Sequence, residues 1–225
     1  WSTDLTAKFR QGRAIRFTPD SYSTTFPDFV EYGVGKKTQW EFADGYILHL
    51  GGEYSRVDNE AKQENPPKET PFGPIIEQFE QTQVNESASF WLGYEQYEDD
   101  EYTWLTESHF YFYRHQYRSD QVDSTDKDSY DESLELLLET RSQFDYHASE
   151  SHRFSIGSEV TFHKLESGRL ELGELDRITG SVYAQDNWNL VGERDLEGAL
   201  DFVPALRVDF DSQYGAHASP KIAFR

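Results

Sequence analysis

Polar and apolar residues alternate along much of this chain with a period of two. Between residues 177 and 190 the even-numbered positions are apolar or small, apart from Asp186, and the odd-numbered positions are mostly polar. Residues 196–210 and 132–147 repeat the pattern with the same parity, although Leu137 departs from it. Because the side chains of a strand point alternately to its two faces, this period predicts β-strands with one apolar face. The shared parity predicts that even-numbered residues from about 36 to 224 form one outward, apolar surface.

A tight hairpin is predicted where residues 36–42 and 46–56 flank Asp44 and Gly45. Glycine supplies the positive φ that a two-residue β-turn needs. The same alternation predicts further strands at residues 1–9, 87–97, 102–117 and about 152–162, with a short one around 14–17. About ten antiparallel strands result.

Three stretches lack the alternation and predict long loops, namely residues 10–31, 57–86 and 118–131. Prolines, glycines or clustered acidic residues make them unsuited to central strands. Short turns are expected near residues 44, 99, 149 and 193, and longer connections near 20, 70, 125, 170 and 215. We therefore expect one rim to carry Asp44, Asp99, Ser149 and Glu193, and the other to carry Asp20, Pro67, Asp126, Gly173 and Gln213.

Short turns at one end and long, extracellular loops at the other are typical of outer-membrane β-barrels. The expected fold is therefore all-β, an antiparallel transmembrane β-barrel meander of about ten strands. Several of these strands are longer than the ~9–11 residues that a tilted membrane strand needs. The long-loop rim is expected to face the cell exterior and to carry any ligand contacts.

Composition is compatible with this fold although the mean hydropathy is only −0.81. Barrel strands expose one apolar face while their other face stays polar, so the average is uninformative. No apolar run approaches the ~20 residues of a membrane-spanning helix. The formal net charge of −21 argues against a nucleic-acid partner, and the absence of cysteine excludes disulfides and thiolate chemistry.

The last third of the chain resembles the TonB-dependent outer-membrane receptors. The resemblance is carried by Tyr183-Ala184-Gln185-Asp186-Asn187-Trp188, then by Leu206-Arg207-Val208-Asp209, then by Tyr214-Gly215 and Ser219-Pro220-Lys221. The preceding strand, residues 152–159, resembles the family through Gly157 and Glu159. The chain departs from the family pattern at Ala205, where glycine is usual, and at Val208, where an aromatic residue is usual.

The resemblance implies active uptake of a scarce, bulky ligand, such as a siderophore-metal chelate or a cofactor, across the bacterial outer membrane. Its implied partners are outer-membrane lipid, the small-molecule or metal-chelate ligand, and the TonB protein, which acts through an amino-terminal region missing here. Residues 1–225 are then part of one outer-membrane β-barrel domain, without the family's plug domain. Arg207 and Asp209 match family positions and are expected to pair as structural charges on the lumen wall.

Two polar clusters invite a functional reading. His109 and His115 lie on the odd-numbered face with Glu107, where a hydrated barrel wall is favoured over a ligand-contact patch because barrel interiors are polar. The second cluster predicts solvated loop charge, because it lacks the glycine and terminal glutamate of a calcium-binding loop. It comprises Asp123, Asp126, Asp128 and Asp131.

Glycines and prolines within strands predict local irregularities. Gly51, Gly52 and Gly157 indicate bends or places where a strand must be thin. Pro204 predicts a β-bulge, because proline cannot donate a ladder hydrogen bond. No Ser-His-Asp order, carboxylate pair in a cleft or nucleotide motif stands out, so we expect no catalysis, no metal site and no cofactor, and we assign no ligand-binding residue.

Two alternatives stay open at this stage. One is a self-contained ten-stranded outer-membrane porin or enzyme, and the other is a soluble, acidic β-domain that binds a ligand or partner. Receptors of the suspected family need about twenty-two strands, whereas about ten close only a narrow barrel. We therefore expect an open partial barrel from a longer protein, and hydrogen bonds between residues 1–9 and 220–225 would instead favour a self-contained barrel.

Overall fold

The computed structural model describes residues 1–16, 18, 20–98, 101–191 and 200–224, and within these ranges the chain is all-β. No helix able to cross a bilayer occurs in them. The strands, in chain order, are β1 (Ser2–Gly12), β2 (Ile15–Arg16), β3 (Thr24–Phe26), β4 (Asp28–Ala43), β5 (Tyr46–Glu64), β6 (Lys68–Thr70), β7 (Gly73–Ile75), β8 (Gln78–Glu98), β9 (Tyr102–Gln121), β10 (Ser129–His147), β11 (His152–Ser167), β12 (Glu174–Val191), β13 (Leu200–Asp211) and β14 (Gly215–Phe224).

Ten of these strands form one antiparallel meander in the order β1-β4-β5-β8-β9-β10-β11-β12-β13-β14. The remaining four make two small hairpins, β2 with β3 and β6 with β7, inside the connections between long strands. The predicted all-β, ten-stranded meander is confirmed. Among the described residues β1 and β14 each pair on one side only, so the sheet is open, as expected.

Several strands extend well beyond the apolar alternation that predicted them. β4 begins at Asp28 rather than near residue 36, β5 continues to Glu64 rather than 56, and β8 begins at Gln78 rather than 87. Both ends of the predicted loop 57–86 are therefore paired strand, since β5 and β8 form one ladder from Tyr46↔Gln96 to Glu64↔Gln78. The prediction was wrong there because polar residues occupy both faces, which removes the apolar signal but not the backbone pairing.

The connections are short at one end of the sheet and mostly long at the other. Asp44 and Gly45, whose φ is 75°, close the β4–β5 turn, and residues 148–151 join β10 to β11. At the opposite end the connections span residues 13–27, 65–77, 122–128 and 168–173. The expected long connection near residue 215 is instead the short turn 212–214. The expected turns at Asp99 and Glu193, and the expected strand start at Leu196, lie outside the described residues.

The predicted parity is confirmed by the strand register. Within the ten-stranded sheet, from β4 to β14, each even-numbered residue pairs with an even-numbered residue, as in Leu138↔Phe162, apart from the bulges at residues 41–43 and 189–191. In β1 the parity switches, so Leu5 pairs with Lys36 and the odd-numbered side chains of β1 join the even face. The long alternation in the sequence therefore describes one continuous surface.

Pro204 interrupts the ladder without the predicted bulge. It pairs with Ile222 of β14, but pairing between β12 and β13 lapses beside it, between Gln185↔Ala205 and Trp188↔Phe202. The register is the same on both sides of this gap. The missing N–H of Pro204 is thus accommodated by a short gap in the pairing of β12 with β13. The register shift between these two strands lies elsewhere, between Asn189 and Val191.

The two faces of the sheet differ in crowding. Every buried residue in the described part of the chain has an odd number, and these residues are Glu31, Gly45, Gly51, Phe79, Gly93, Ser119, Gly157, Ser181 and Asp201. Side chains on the concave side of a curved sheet converge and cover one another, whereas those on the convex side spread apart. The odd face is therefore concave and the even face convex.

Candidate functional site

An aromatic belt crosses the convex face near the short-turn end. In β11 to β14 the belt is continuous. The ring centroids of His152 and Trp188 are stacked 5.2 Å apart, and those of Trp188 and Phe202 are 6.3 Å apart. The ring of Phe202 in turn lies 5.1 Å from that of Phe224, again between centroids. Other members of this belt are Trp40, Phe42, Tyr46, Tyr94, Tyr102, Trp104, Phe144, Tyr146 and Phe154. Aromatic rings in such a row are typical of the membrane–water interface of outer-membrane barrels.

An apolar band lies next to the belt, toward the long-loop end. Its side chains are unusually accessible for aliphatic residues, since Ile156, Val160 and Val182 expose 59%, 53% and 49% of their surface. From Leu134 to Tyr146, β10 extends about 40 Å. For a strand tilted by about 45°, this length corresponds to a height of about 28 Å along the membrane normal. The lipid-facing band of such barrels is about 25 Å tall, so the dimensions match.

The band ends abruptly at a network of charges on the same convex face. Arg56 contacts Glu86 of the neighbouring strand at 2.9 Å and Asp58 of its own strand at 2.8 Å. Arg114 continues the network to Glu86 at 3.7 Å and to Glu132 at 2.6 Å. The expectation that even positions stay apolar is therefore wrong at the long-loop end of β5, β8, β9 and β10. We call these five residues the convex charge network.

Hydrogen bonds fix the ionisation of this network. The Tyr130 hydroxyl donates to Glu132 at 2.7 Å, and together with the Arg114 guanidinium it lowers the pKa of that carboxyl. Asp58 raises the pKa of Arg56. Charged groups of this density are incompatible with hydrocarbon, which places the edge of any lipid contact between Leu134 and Glu132 on β10.

The concave face is polar and contains aromatic rings that lie over glycines. A Cβ atom on Gly51 would lie 2.1 Å from the Trp91 ring, and one on Gly157 would lie 2.3 Å from the Tyr183 ring. In each case the glycine is the direct cross-strand partner of the aromatic residue. The prediction that strands are thin at Gly51 and Gly157 is confirmed, and the cause is the space these rings need.

The histidines predicted for the polar face do lie on the concave face. His115 bonds through Nδ1 to Asn85 Oδ1 at 2.8 Å, and the Tyr113 hydroxyl donates to the same oxygen at 2.9 Å. His109 lies opposite Trp91 and Glu139 in the adjacent strands. Among the described residues no group of three or more His, Asp or Glu side chains is arranged to hold a metal ion.

The acidic loop after β9 uses its carboxylates to organise its own backbone. Asp128 accepts a hydrogen bond from the Gln121 amide at 2.8 Å, and Asp131 pairs with Arg169 at 2.7 Å. Asp123 adopts a positive φ of 65°, which acidic and amide residues tolerate best in turns. Asp128 thus holds the backbone of the loop itself, whereas Asp131 lies in β10 and contacts the connection 168–173, so both contacts are structural.

Two adjoining recesses occupy the concave wall formed by β9 to β13. The rim recess, of about 210 Å³, is lined by Glu159, Thr161, Thr179, Ser181, Asp209 and Asp211, among others. The inner recess, of about 460 Å³, is lined by Arg141, Gln143 and Tyr183, among others. Glu159 and Arg207 line both. The Arg207–Asp209 pair predicted for the lumen wall is present, with Arg207 Nε donating to Asp209 at 2.7 Å.

Among the members of these recesses, the sequence analysis named Glu159, Tyr183, Arg207 and Asp209 through the family resemblance, and it did not single out the others. The parity placed Ser181, Thr161 and Thr179 on the polar face, but serine and threonine on a polar strand face are unremarkable alone. Their grouping depends on the β11–β12–β13 register, which aligns Glu159, Ser181 and Asp209 in one row. The convex charge network was missed for the same reason, although its alternating charges at even positions were a readable signal.

No protein-family model matches the sequence, and no curated protein matches it. Among solved structures, a mutant of the ferric enterobactin receptor PfeA from Pseudomonas aeruginosa is 10% identical, with a TM-score of 0.48 over 99% of this chain and 41% of that one. The siderophore receptor PirA from Acinetobacter baumannii is 11% identical, with a TM-score of 0.37 over 99% and 40%.

The beta domain of the Bordetella autotransporter Brka is 13% identical, with a TM-score of 0.34 over 98% of this chain and 81% of that one. This chain thus spans about two fifths of each of the two receptors. At these identities and scores the similarities do not assign a function to this chain.

Proposed function

We propose that this chain forms part of the wall of an outer-membrane transport barrel in a bacterium. In this role it takes up a scarce, bulky ligand, such as a siderophore-metal chelate or a cofactor, with energy supplied by the TonB protein. The convex face contacts lipid, and the concave face lines the passage. The chain performs no catalysis.

The observation that carries the membrane part of this proposal is the parity that the long strands β4 to β14 of the sheet share. It collects accessible aliphatic residues, such as Ile156 and Val160, on the convex face over about the height of a bilayer, between an aromatic belt and the convex charge network. A large exposed apolar surface marks a site that contacts another apolar phase. A polar concave face with paired charges suits a hydrated passage.

Two further features support a receptor rather than a small porin. The sheet is open, since β1 and β14 do not pair with each other among the described residues. The proposal that TonB supplies the energy is supported by a resemblance to strand signatures of TonB-dependent receptors, which is carried by residues 183–188, 206–209 and 219–221. TonB itself would act through a region outside these residues.

The test of the location uses cells that produce the complete protein. Outer and inner membranes are separated on a density gradient, and the protein is expected in the outer-membrane fraction with a heat-dependent change in electrophoretic migration. Recovery in the soluble fraction would overturn the membrane role and favour the soluble β-domain.

The test of transport measures uptake of radioactive iron supplied as a catecholate chelate or as a hydroxamate chelate, and uptake of cobalamin. Deleting the gene is expected to abolish uptake of one of these, and removing the TonB protein should have the same effect on that ligand. Active transport would be contradicted if the deletion left the uptake of every probe unchanged. It would also be contradicted if the uptake that the deletion abolishes continued in cells without TonB.

A further inference from the structure

A row of oxygen-bearing side chains crosses the concave wall, midway along β11 and near the long-loop end of the shorter strand β13. Ser181 in β12 lies directly between Glu159 of β11 and Asp209 of β13, its cross-strand partners on either side. The next row toward the rim aligns Thr161 with Thr179. Directly opposite residues on one face of a sheet have Cβ atoms about 4.5–5.5 Å apart, so these groups form one compact patch.

The charges of this patch are already satisfied by one another. Arg207 donates to Asp209 at 2.7 Å and lies 4.0 Å from Glu159, while Arg177 contacts Asp211 at 2.5 Å. An ionic ligand would have to displace one of these partners. A neutral ligand with several hydroxyl groups can instead donate to the remaining carboxylate lone pairs and accept from the remaining guanidinium N–H groups without breaking a pair.

Ser181 supplies an independent sign that the patch is incomplete. Ser181 is 5% exposed, and its hydroxyl has no hydrogen-bond partner in the part of the chain that the structure describes, although the residue lines the rim recess. A buried hydroxyl without a partner costs free energy, and native proteins seldom retain one without a reason. A bound hydroxyl group would satisfy it.

Tyr183 adds a flat apolar surface next to the patch. Its ring lies over Gly157, and its hydroxyl donates to Gln143 at 2.7 Å, two strands away. These contacts hold one face of the ring against the wall, and Tyr183, which is partly exposed, lines the inner recess. An aromatic face packs well against the C–H surface of a sugar ring, while the hydroxyl groups at the ring's edge reach the polar patch.

We propose that the wall around Ser181 and Tyr183 is a subsite for a saccharide, which stacks on Tyr183 and bonds through its hydroxyl groups to Ser181, Glu159 and the Arg207–Asp209 pair. This inference rests on the proposed transport function, in which the saccharide is the part of the bulky ligand that contacts the barrel wall. The rim and inner recesses, of about 210 and 460 Å³, offer room for one or two sugar rings.

The test is saturation-transfer NMR on the complete protein purified in detergent, with maltose, lactose and glycerol as separate probes. Saturation is expected to reach the ring protons of at least one disaccharide and not glycerol, which has hydroxyl groups but no ring to stack. Tyr183→Leu should abolish the transfer. Ser181→Ala should weaken binding about fivefold, the loss expected for one hydrogen bond.

Trp91→Leu is the matched control, because Trp91 also lies over a glycine of the concave face but far along the sheet from the subsite. It should cost similar stability and leave saccharide binding intact. Heat-dependent electrophoretic migration reports whether each variant is folded. Absence of transfer from the wild-type protein to both disaccharides, or equal losses in Tyr183→Leu and Trp91→Leu, overturns the subsite.

The uptake assay separates this outcome from failure of the transport function. If the wild-type protein does not bind saccharide, and TonB-dependent uptake is unchanged in Tyr183→Leu and Ser181→Ala, the proposed subsite is wrong while the proposed receptor function stands. Saccharide binding that depends on Tyr183, in a protein whose uptake does not require TonB, supports the subsite and contradicts the energy source.

Discussion

Arg56 of β5 donates a hydrogen bond to Glu86 of β8 at 2.9 Å, directly across the sheet, at the level where the apolar convex band ends. The two side chains are partly covered, at 33% and 16% exposure. This pair belongs to the convex charge network that links β5 to β10. It explains how the sheet remains paired beyond the region that lipid would stabilise.

A double-mutant cycle measures what this pair contributes. Arg56→Gln and Glu86→Gln should each destabilise the protein, with a coupling energy of about 0.5–1 kcal/mol, because the pair is less exposed than ordinary surface pairs. The measurement is urea unfolding in detergent. The control pair is Arg118 with Asp120, exposed by 65% and 41%, for which the coupling should be near zero. Equal coupling in the two pairs would contradict a special role for the network.

Leu138 and Glu139 test which face meets lipid. Leu138→Arg should destabilise the membrane-embedded protein by about 2–4 kcal/mol, because it places a charge in the middle of the lipid-facing band. Glu139→Arg, one residue further on the concave face, should cost far less. Refolding into phospholipid bilayers at several urea concentrations gives both values. A larger loss for Glu139→Arg would reverse the assignment of the faces.

Gly51→Ala probes the contact between Gly51 and the Trp91 ring. The added Cβ would lie 2.1 Å from that ring, so the indole must move, at an expected cost of about 1–3 kcal/mol. Combining it with Trp91→Ser should recover part of the loss, since the obstructing ring is then gone. Gly168→Ala, which meets no atom within 4 Å, is the control and should stay near the wild-type stability.

Glu132 gives a prediction about acid stability. Hydrogen bonding from Tyr130 and the charge of Arg114 lower its pKa from the ordinary value of 4.5. A carboxyl whose pKa is lower in the folded state stabilises the fold above its unfolded pKa, and this contribution disappears as the pH falls below about 4.5. Urea midpoints between pH 3 and 7 should therefore fall less steeply in Glu132→Gln than in the wild type. If the urea midpoints of the two proteins fell equally steeply with pH, the contacts of Glu132 with Tyr130 and Arg114 would contribute nothing to the stability of the fold.

Protease access tests the orientation of the sheet. Trypsin added to intact cells is expected to cut at Lys68 or Lys127, which lie in the long connections 65–77 and 122–128. The earlier part of the predicted loop, residues 57–64, should resist because it is paired in β5. Glu150, in the short turn 148–151, should be cut by a glutamate-specific protease only after the outer membrane is opened. Cleavage at Glu150 in intact cells would place the short turns outside.

The hairpin at Asp44-Gly45 and the concave position of His115 were predictable because each depends on local chemistry or on parity. Glycine permits the positive φ, and a period of two assigns each side chain to a face. The outer halves of β5 and β8 were not predictable in this way. Their residues are polar on both faces, and the pairing that defines them, such as Lys62 with Glu80, joins positions distant in the chain.

The sequence by itself determined the class of fold, the two faces of the sheet and the approximate number of strands, because alternation is a property of consecutive residues. Only the tertiary structure decided the strand ends, the unshifted register at Pro204, the convex charge network and the row Glu159–Ser181–Asp209. Each of these depends on which strands are neighbours and in what register. That information arises when separate segments align in space, since a residue's cross-strand partner is set by the whole ladder rather than by its own surroundings in the chain.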